Sequence, residues 1–441
     1  MIGRIIKVKK NKINKAAFRN KSSLRIPKKL WADKMVEAFC ECSIHDEFSF
    51  KNICDHLYDA YNIDISKQAL AQRVKRSGTV ALFLEIVKSC FLKSINYEKC
   101  DFESLREFTK RVLVQDSTII LLPKHLHKYF SGVSETAGNA RIQFIYDILN
   151  MDFISFSIDS YSKNDLASAL EIDVLEGDLW LRDKGYFNLD ACYKIDDYCG
   201  NYILRYKIGT NLYHLDGRPF DLMKELKLNS NINKEVLVGK KKIPMNLVVN
   251  RANTQIANER RRKANLKYGY SSEKKKSEEK VMNKEYSYLC NFTIFLTSFN
   301  LKLTFKQIFA IYALRWRIEI IFKAWKSNLN FANIHNVSHN QLHILICCRF
   351  IVNHLIFKNF YQDFLERVLQ KHNKILSVMA LTKSIMLKFE HYLNALINNE
   401  IEYLTDKLSR FCTYEKRKRK NYYEMEQAVF ENLNDFYLNL G

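Results

Sequence analysis

From residue 111 to residue 208 the hydrophobic period of the chain changes again and again, and few folds accept that series. RVLVQDSTIILL (111–122) is rich in β-branched residues and stops at Pro123. RIQFIYDIL (141–149) and FISFSIDSYS (153–162) alternate with period two. Such runs read as half-buried strands, and three in succession predict an antiparallel meander. SKNDLASALEI (162–172) opens on serine and takes helical spacing. DLWLRDKGYF (178–187) reads as a short strand that breaks at Gly185, NLDACYKIDDYC (188–199) as a helix and NYILRYKI (201–208) as a strand. The expected order is strand, strand, strand, helix, strand, helix, strand.

That is the element order of the ribonuclease-H-like fold, so the fold class is α+β/α/β: a ribonuclease-H-like core with helical N- and C-terminal regions. The core is expected at 105–208 and again at 304–360. A β-rich insertion lies between, at 209–303, with strands in VLVGKKKIPMNLVVNRA and YSYLCNFTIFLTS. Residues 361–441 form a helical C-terminal region. Residues 30–104 are expected to be a helical DNA-binding region, in which Ser49 opens one short helix and Ser66 another. A helix-turn-helix, with 66–76 as the recognition helix, and an ordinary helical hairpin both fit this spacing. In the first case Lys67, Gln68, Gln72, Arg73 and Lys75 are candidate DNA contacts.

Charge favours a polyanionic partner. The formal net charge is +22, from 70 Lys and Arg against 48 Asp and Glu. An AT-rich coding bias inflates lysine but does not cluster it. Residues 1–29 carry eleven Lys or Arg and no acid, which reads as a flexible basic arm. ERRRK (259–263), EKKK (273–276) and KRKRK (416–420) are further basic blocks. Such segments track phosphates without reading sequence, and nucleic acid is expected before membrane. The eleven cysteines show no paired C-x-x-C, so zinc is not supported, and unpaired thiols fit a reducing cytoplasm. His335, His339 and His343 recur every four residues, but no cysteine or carboxylate completes a metal set. The apolar run HILICCRFIVNHLIF (343–357) is short for a membrane span and contains Arg349 and Asn353.

Three acids stand at element ends of the expected core. Asp116 sits in the middle of the first strand's hydrophobic run, where a carboxylate is costly without positive compensation. Asp183 ends the fourth strand, which the sheet order sets beside the first. Glu319 lies on the helix after the insertion. Converging carboxylates repel one another and raise each other's pKa, and divalent cations relieve that repulsion. Two magnesium ions held there can activate an attacking oxygen and stabilise a leaving one at a phosphodiester.

The helix carrying Glu319 has its own signature. YALRWRIEIIFKAWK (312–326), read as one helix, puts Tyr312, Arg315, Glu319 and Lys326 in a narrow arc with Lys323 beside them. Leu314, Ile318, Ile321 and Trp325 form the neighbouring apolar stripe. A solvated face with Glu319–Lys323 pairing would look similar in isolation. However, Y-x2-R-x3-E-x6-K resembles the signature of DDE transposases of bacterial insertion sequences, specifically the insertion-sequence-four family. QDST (115–118) resembles that family's first-Asp motif, RDKGYF (182–187) its second, and ILRYK (203–207) the strand that follows.

The resemblance covers about residues 105–360. It implies catalytic, metal-holding roles for Asp116, Asp183 and Glu319 with two Mg2+ (or Mn2+) ions. It also implies DNA contacts from Tyr312, Arg315, Lys323, Lys326 and Arg205. The implied activity is cleavage at terminal inverted repeats followed by strand transfer, by a homodimer on double-stranded DNA, in the bacterial cytoplasm. A ribonuclease-H-fold nuclease without strand transfer and a non-catalytic DNA-binding protein derived from a transposase are the alternatives. One departure is visible. Some members hold a flipped base on a Trp in the insertion, and no Trp lies between 181 and 315 here; Tyr286, Tyr288 and Phe292 are the aromatic stand-ins.

Overall fold

The computed structural model describes residues 10–44, 48–91, 103–132, 137–171, 173–269 and 284–414. Its N-terminal helices are α1 (Lys10–Arg19), α2 (Ala32–Ile44), α3 (Phe50–Tyr61), α4 (Lys67–Lys75), α5 (Ser77–Phe91) and α6 (Glu103–Phe108). Strands β1 (Arg111–Leu122), β2 (Gly138–Asp147), β3 (Asp152–Ser160) and β4 (Asp178–Arg182) follow, then α7 (Leu189–Asp197) and β5 (Asn201–Arg205). Next come β6 (Leu212–Tyr213), α8 (Leu222–Leu228), β7 (Ile232–Val238), β8 (Ile243–Arg251), α9 (Thr254–Gly269), α10 (Lys284–Leu289) and β9 (Phe292–Ser298). The chain continues through α11 (Phe305–Ala313), α12 (Trp316–Asn328), α13 (His339–Ile356), α14 (Asp363–His372), α15 (Val378–Leu387), α16 (Phe389–Ile397) and α17 (Ile401–Phe411).

The chain divides into two compact units. The first takes residues within 1–101, 116–170 and 316–424, and the second takes those within 102–115 and 171–315 among the described residues. In the first unit β2 and β3 pair antiparallel, Ala140 opposite Ser160 and Asp147 opposite Asp152, with an irregularity at Ile145/Tyr146. One face of this hairpin carries Phe144, Phe153 and Phe156. Phe144 meets Phe322 and Trp325 of α12 and Phe350 of α13, at ring-centroid distances of 5.2, 5.6 and 5.4 Å. This aromatic layer is what seats α12. Helix α13 packs on α2 and α5, and α12 on α15.

In the second unit β1 runs parallel to β4, and β4 to β5. Beyond β5 the strands β9, β8, β7 and β6 continue the sheet, each antiparallel to its neighbour. Their hydrophobic positions, among them Leu247, Val249, Phe295 and Leu296, are buried. Gly239, at φ +72°, opens the turn from β7 to β8, a conformation glycine enters without steric cost.

Five expectations need correction. Residues 10–19 of the expected flexible arm are helix α1, whose Ile13, Ala16 and Ala17 are buried against α2 and α5; residues 1–9 lie outside the described residues. The segment 162–171 forms turns, not a helix, and Ile172 lies outside the described residues. Its short polar side chains bond locally, Asn164 Oδ1 accepting from the Ala167 N–H and Ser168 Oγ donating to Asn164 O, which competes with helix formation. The segment 286–298 is strand only from Phe292; its start belongs to α10. The expected β-rich insertion, 209–303, is mixed, since α8, α9 and α10 lie within it. Finally, 312–326 is two helices. Leu314 and Arg315 form a tightened turn, with their N–H groups bonding Ile311 O and Tyr312 O. The basic blocks 273–276 and 416–420 lie outside the described residues.

Helices α3 and α4 begin at the two serines, and both the helix-turn-helix and the plain hairpin remain compatible with them. Asn62 caps α3 in the left-handed region, and the hydroxyls of Ser49 and Ser66 accept from Asn52 and Ala69 at the two N-termini. The stretch His339–His372 is long and apolar enough to cross a membrane, but 83% of its apolar window is buried inside the protein. Arg349 within it bonds Ser43 O and Asn333 O, so the stretch behaves as a core helix. None of the ten described cysteines forms a disulfide.

One buried acid gives the first unit a measurable pH response. Asp152 is 3% exposed, and His354 Nε2 of α13 lies 4.0 Å away. Burial, opposed by the Lys358 charge, pushes the Asp152 carboxyl up to about 6. Burial likewise pushes His354 down to about 3, so the two do not form a charged pair. A carboxyl raised on folding contributes stability below its unfolded pKa of 3.8 and loses it as pH rises to about 6. Asp152→Asn is therefore expected to raise stability at pH 8, by at most about 3 kcal/mol, and to be neutral near pH 4. Melting temperatures at the two pH values check this.

Candidate active site

The parallel pairing of β1 with β4 sets the frame. Val114 stands opposite Leu181 in that register. Asp116 follows Val114 by two residues, and Asp183 follows Leu181 by two. One residue earlier on each strand, the Arg182 guanidinium donates to Gln115 Oε1 at 2.9 Å, and both side chains are fully buried. Burial pushes the Arg182 guanidinium below its ordinary range. This bond ties β1 to β4 directly before the two acids, and nothing in the motif singled Arg182 out.

Asp183 begins a 3-10 turn, Lys184–Tyr186, without its carboxylate capping that turn. Its Oδ1 accepts instead from the Tyr312 hydroxyl at 3.4 Å; that hydroxyl lies equally far from Arg182 O. Tyr312 is buried against Phe295, 5.0 Å between rings. Burial first, then the Asp183 charge, raises its hydroxyl pKa. Arg205 ends β5 opposite Phe295 in register and lies 5.3 Å over that ring. Arg315 is buried, with its guanidinium 5.9 Å from the Tyr312 ring. The second unit thus brings together Asp183, Arg205, Tyr312 and Arg315, drawn from three separate motifs.

In the first unit, α12 buries Ile318, Ile321, Phe322 and Trp325 and exposes Glu319, Lys323 and Lys326. The break at 314–315 means that Tyr312 and Arg315 do not continue this face; they close α11 in the second unit. Asp116, half-buried on β1, accepts from the Ser117 N–H at 2.8 Å. Ser117 in turn donates to Asp165, which pairs with Arg141. Other acids near strands serve the fold. Asp147 accepts from Leu149 and Asn150, Asp159 pairs with Lys163, and Asp178 pairs with Arg111.

Asp116, Asp183 and Glu319 offer only oxygen donors, the type that magnesium and manganese take. The donor chemistry fits a divalent ion. Among the described residues no group of three or more His, Cys, Asp or Glu side chains is gathered closely enough to hold one. His339 stacks on Phe130, and His343 packs at a tilt against both rings, which is aromatic packing.

The candidate DNA contacts of α4 separate. Lys67 and Gln68 are exposed, as are Gln72 and Lys75. Arg73 is not available in the same way, because its guanidinium donates to Leu30 O and Ser23 Oγ at 2.7 and 2.8 Å. It braces the wall of a groove of about 880 Å³ also lined by Lys28, Lys29, Ser66 and Arg76. In the block 259–263, Arg260 donates to Phe292 O and Thr293 Oγ1, Arg261 to Asn291 Oδ1, and Arg262 pairs with Glu259. That block braces α9 against β9 and is not a free phosphate track. Tyr288 bonds Leu226 O and packs on Phe292, so two of the three stand-in aromatics take part in packing.

Comparison with known proteins identifies the family. The transposase DDE domain family matches residues 107–352. The transposase for insertion sequence element IS231D of Bacillus thuringiensis subsp. finitimus is 27% identical over 423 residues, 88% of this chain and 85% of that protein. The transposase for element IS231F of Bacillus thuringiensis subsp. israelensis is 25% identical over 416 residues, 87% of this chain and 84% of that protein. The transposase for element IS1151 of Clostridium perfringens is 26% identical over 307 residues, 63% of this chain and 62% of that protein.

Proposed function

Because the chain belongs to the transposase DDE domain family, we propose that it is the cut-and-paste transposase of a bacterial insertion sequence, cleaving DNA at terminal inverted repeats and joining the ends to new DNA. The observation that carries this reading is the Tyr312–Asp183 hydrogen bond. It joins the Tyr of the Y-R-E-K motif to the Asp of the RDKGYF motif, 129 residues apart in the chain.

Asp116, Asp183 and Glu319 are the proposed carboxylates, and they would hold two Mg2+ or Mn2+ ions. Such ions, when bound, lower the pKa of water and stabilise a leaving alkoxide. The remaining work falls to the chain's own groups. Tyr312 and Arg315 fix phosphate near Asp183, and Arg205 adds positive charge from the end of β5. Lys323 and Lys326, exposed on the Glu319 face of α12, hold phosphates flanking the scissile bond. Lys67 and Gln68 of α4 contact DNA away from the site. Two element ends must be held together for cut-and-paste joining, which calls for a homodimer in the DNA complex.

The test is incubation of the full chain with a duplex from the repeats flanking its coding sequence, with Mg2+ or Mn2+ present. Nicking at the repeat end followed by joining to a second duplex is expected. Nicking without joining would make it a nuclease, and binding without nicking a non-catalytic DNA-binding protein.

A further inference from the structure

The second unit sets several cations near Asp183. Arg205 interacts electrostatically with Asp183, Tyr312 and Arg315. Lys184 interacts with Arg205, Asp183 and Arg260, and Arg260 with Arg205. Arg182 stands opposite Leu204 in the parallel register of β4 and β5, so Asp183 and Arg205 come next on neighbouring strands, with Lys184 directly after Asp183; Arg260 and Arg315 are the other two of four cations, both near Arg205. Like charges at this density oppose folding unless an anion offsets them.

Most of the four also serve the structure. Arg260 ties α9 to β9 through Cys290 O, Phe292 O and Thr293 Oγ1. Arg205 stacks on Phe295, and Arg315 is buried beside Tyr312. Lys184 differs. It is exposed in the turn directly after Asp183, and among the described residues its ammonium makes no hydrogen bond or ion pair. Resting on the transposase reading of this site, we infer that Lys184 is a positioning residue: its ammonium binds a DNA backbone phosphate next to the one attacked at Asp183, with Arg205 and Arg260 supplying the surrounding positive field. A compact ammonium on a flexible stem suits a point contact to phosphate and reads no base.

The test measures binding of the full chain in buffer free of divalent ions, to a duplex from the flanking repeat and to a scrambled duplex, across a salt series. Lys184→Ala is expected to weaken both duplexes alike and to lower the slope of log K against log salt by about 1. Lys184→Arg should restore most of the slope. Lys227→Ala, which removes the same charge from an exposed position on α8, should leave it unchanged. Should Lys184→Ala melt below the wild type, Lys184→Gln replaces it, since it removes charge and keeps length. A wild-type slope in the Lys184 variants, or an equal loss in Lys227→Ala, overturns the inference. Cleavage by the unaltered chain, assayed beside these, tests the transposase reading separately: cleavage with no Lys184 effect sinks only the role of Lys184.

Discussion

Asp183→Asn is expected to abolish cleavage of end DNA, by about 10³-fold or more, while leaving the melting temperature and metal-free DNA binding near wild type. Several kcal/mol of transition-state stabilisation is the scale on which loss of a metal-holding carboxylate acts. The side chain does little for the fold. It caps no turn, and its contact from Tyr312 is long, at 3.4 Å. Asp116→Asn and Glu319→Gln should behave alike, since the three are proposed to act as one unit and their losses should then not add. Asp159→Asn supplies the contrast, because Asp159 pairs with Lys163 at the surface of β3 and should leave turnover intact. Single-turnover nicking on the same duplex for all four variants decides this. Near-wild-type nicking by a folded Asp116, Asp183 or Glu319 variant would mean that residue is misassigned.

Which parts were legible in the sequence follows from how far each signal reaches. The strands announced themselves because a period of two with β-branched residues reports on a sheet face directly, and β1 to β5 fall where the pattern put them. Asp116 stood out as a candidate because a carboxylate in an apolar run contrasts with its surroundings. The break at 314–315 was not, since Leu and Arg favour helix and only tertiary packing of Tyr312 and Arg315 tightens that turn. Residues 10–19 looked like a solvated arm because Ile13, Ala16 and Ala17 are too few to stand out among lysines, yet they suffice to dock one helix. Arg73, Arg260 and Arg261 looked free for DNA, because a guanidinium that bonds distant carbonyls leaves no local trace. Arg182 and Lys184 carry no signal of their own beside Asp183; only the bond to Gln115 and the cations near Asp183 distinguish them.

Helix α12 carries two tryptophans, and their replacement should have opposite consequences. Trp325 is 1% exposed and sits among Phe144, Phe153, Phe322, Phe331 and Phe350, with ring centroids from 5.0 to 6.0 Å away. Trp325→Ala removes the largest side chain in that layer and leaves a cavity that rigid aromatic neighbours fill poorly. The expected cost is about 3–5 kcal/mol, read as a lower denaturant midpoint for the first unit. Trp325→Phe should keep most of the stability, because edge and tilted contacts survive with a smaller ring. Trp316, at the start of the same helix, is 54% exposed, and Trp316→Ala should change stability by no more than about 0.5 kcal/mol. The link to chemistry is position. Glu319 is carried on the exposed side of the same helix, so a loosened α12 should lower nicking by Trp325→Ala well below its melting temperature, with metal-free DNA binding less affected. Equal destabilisation by the two replacements would show that the faces of α12 are assigned wrongly. Full nicking in a destabilised Trp325→Ala would show that the aromatic layer does not set the position of Glu319.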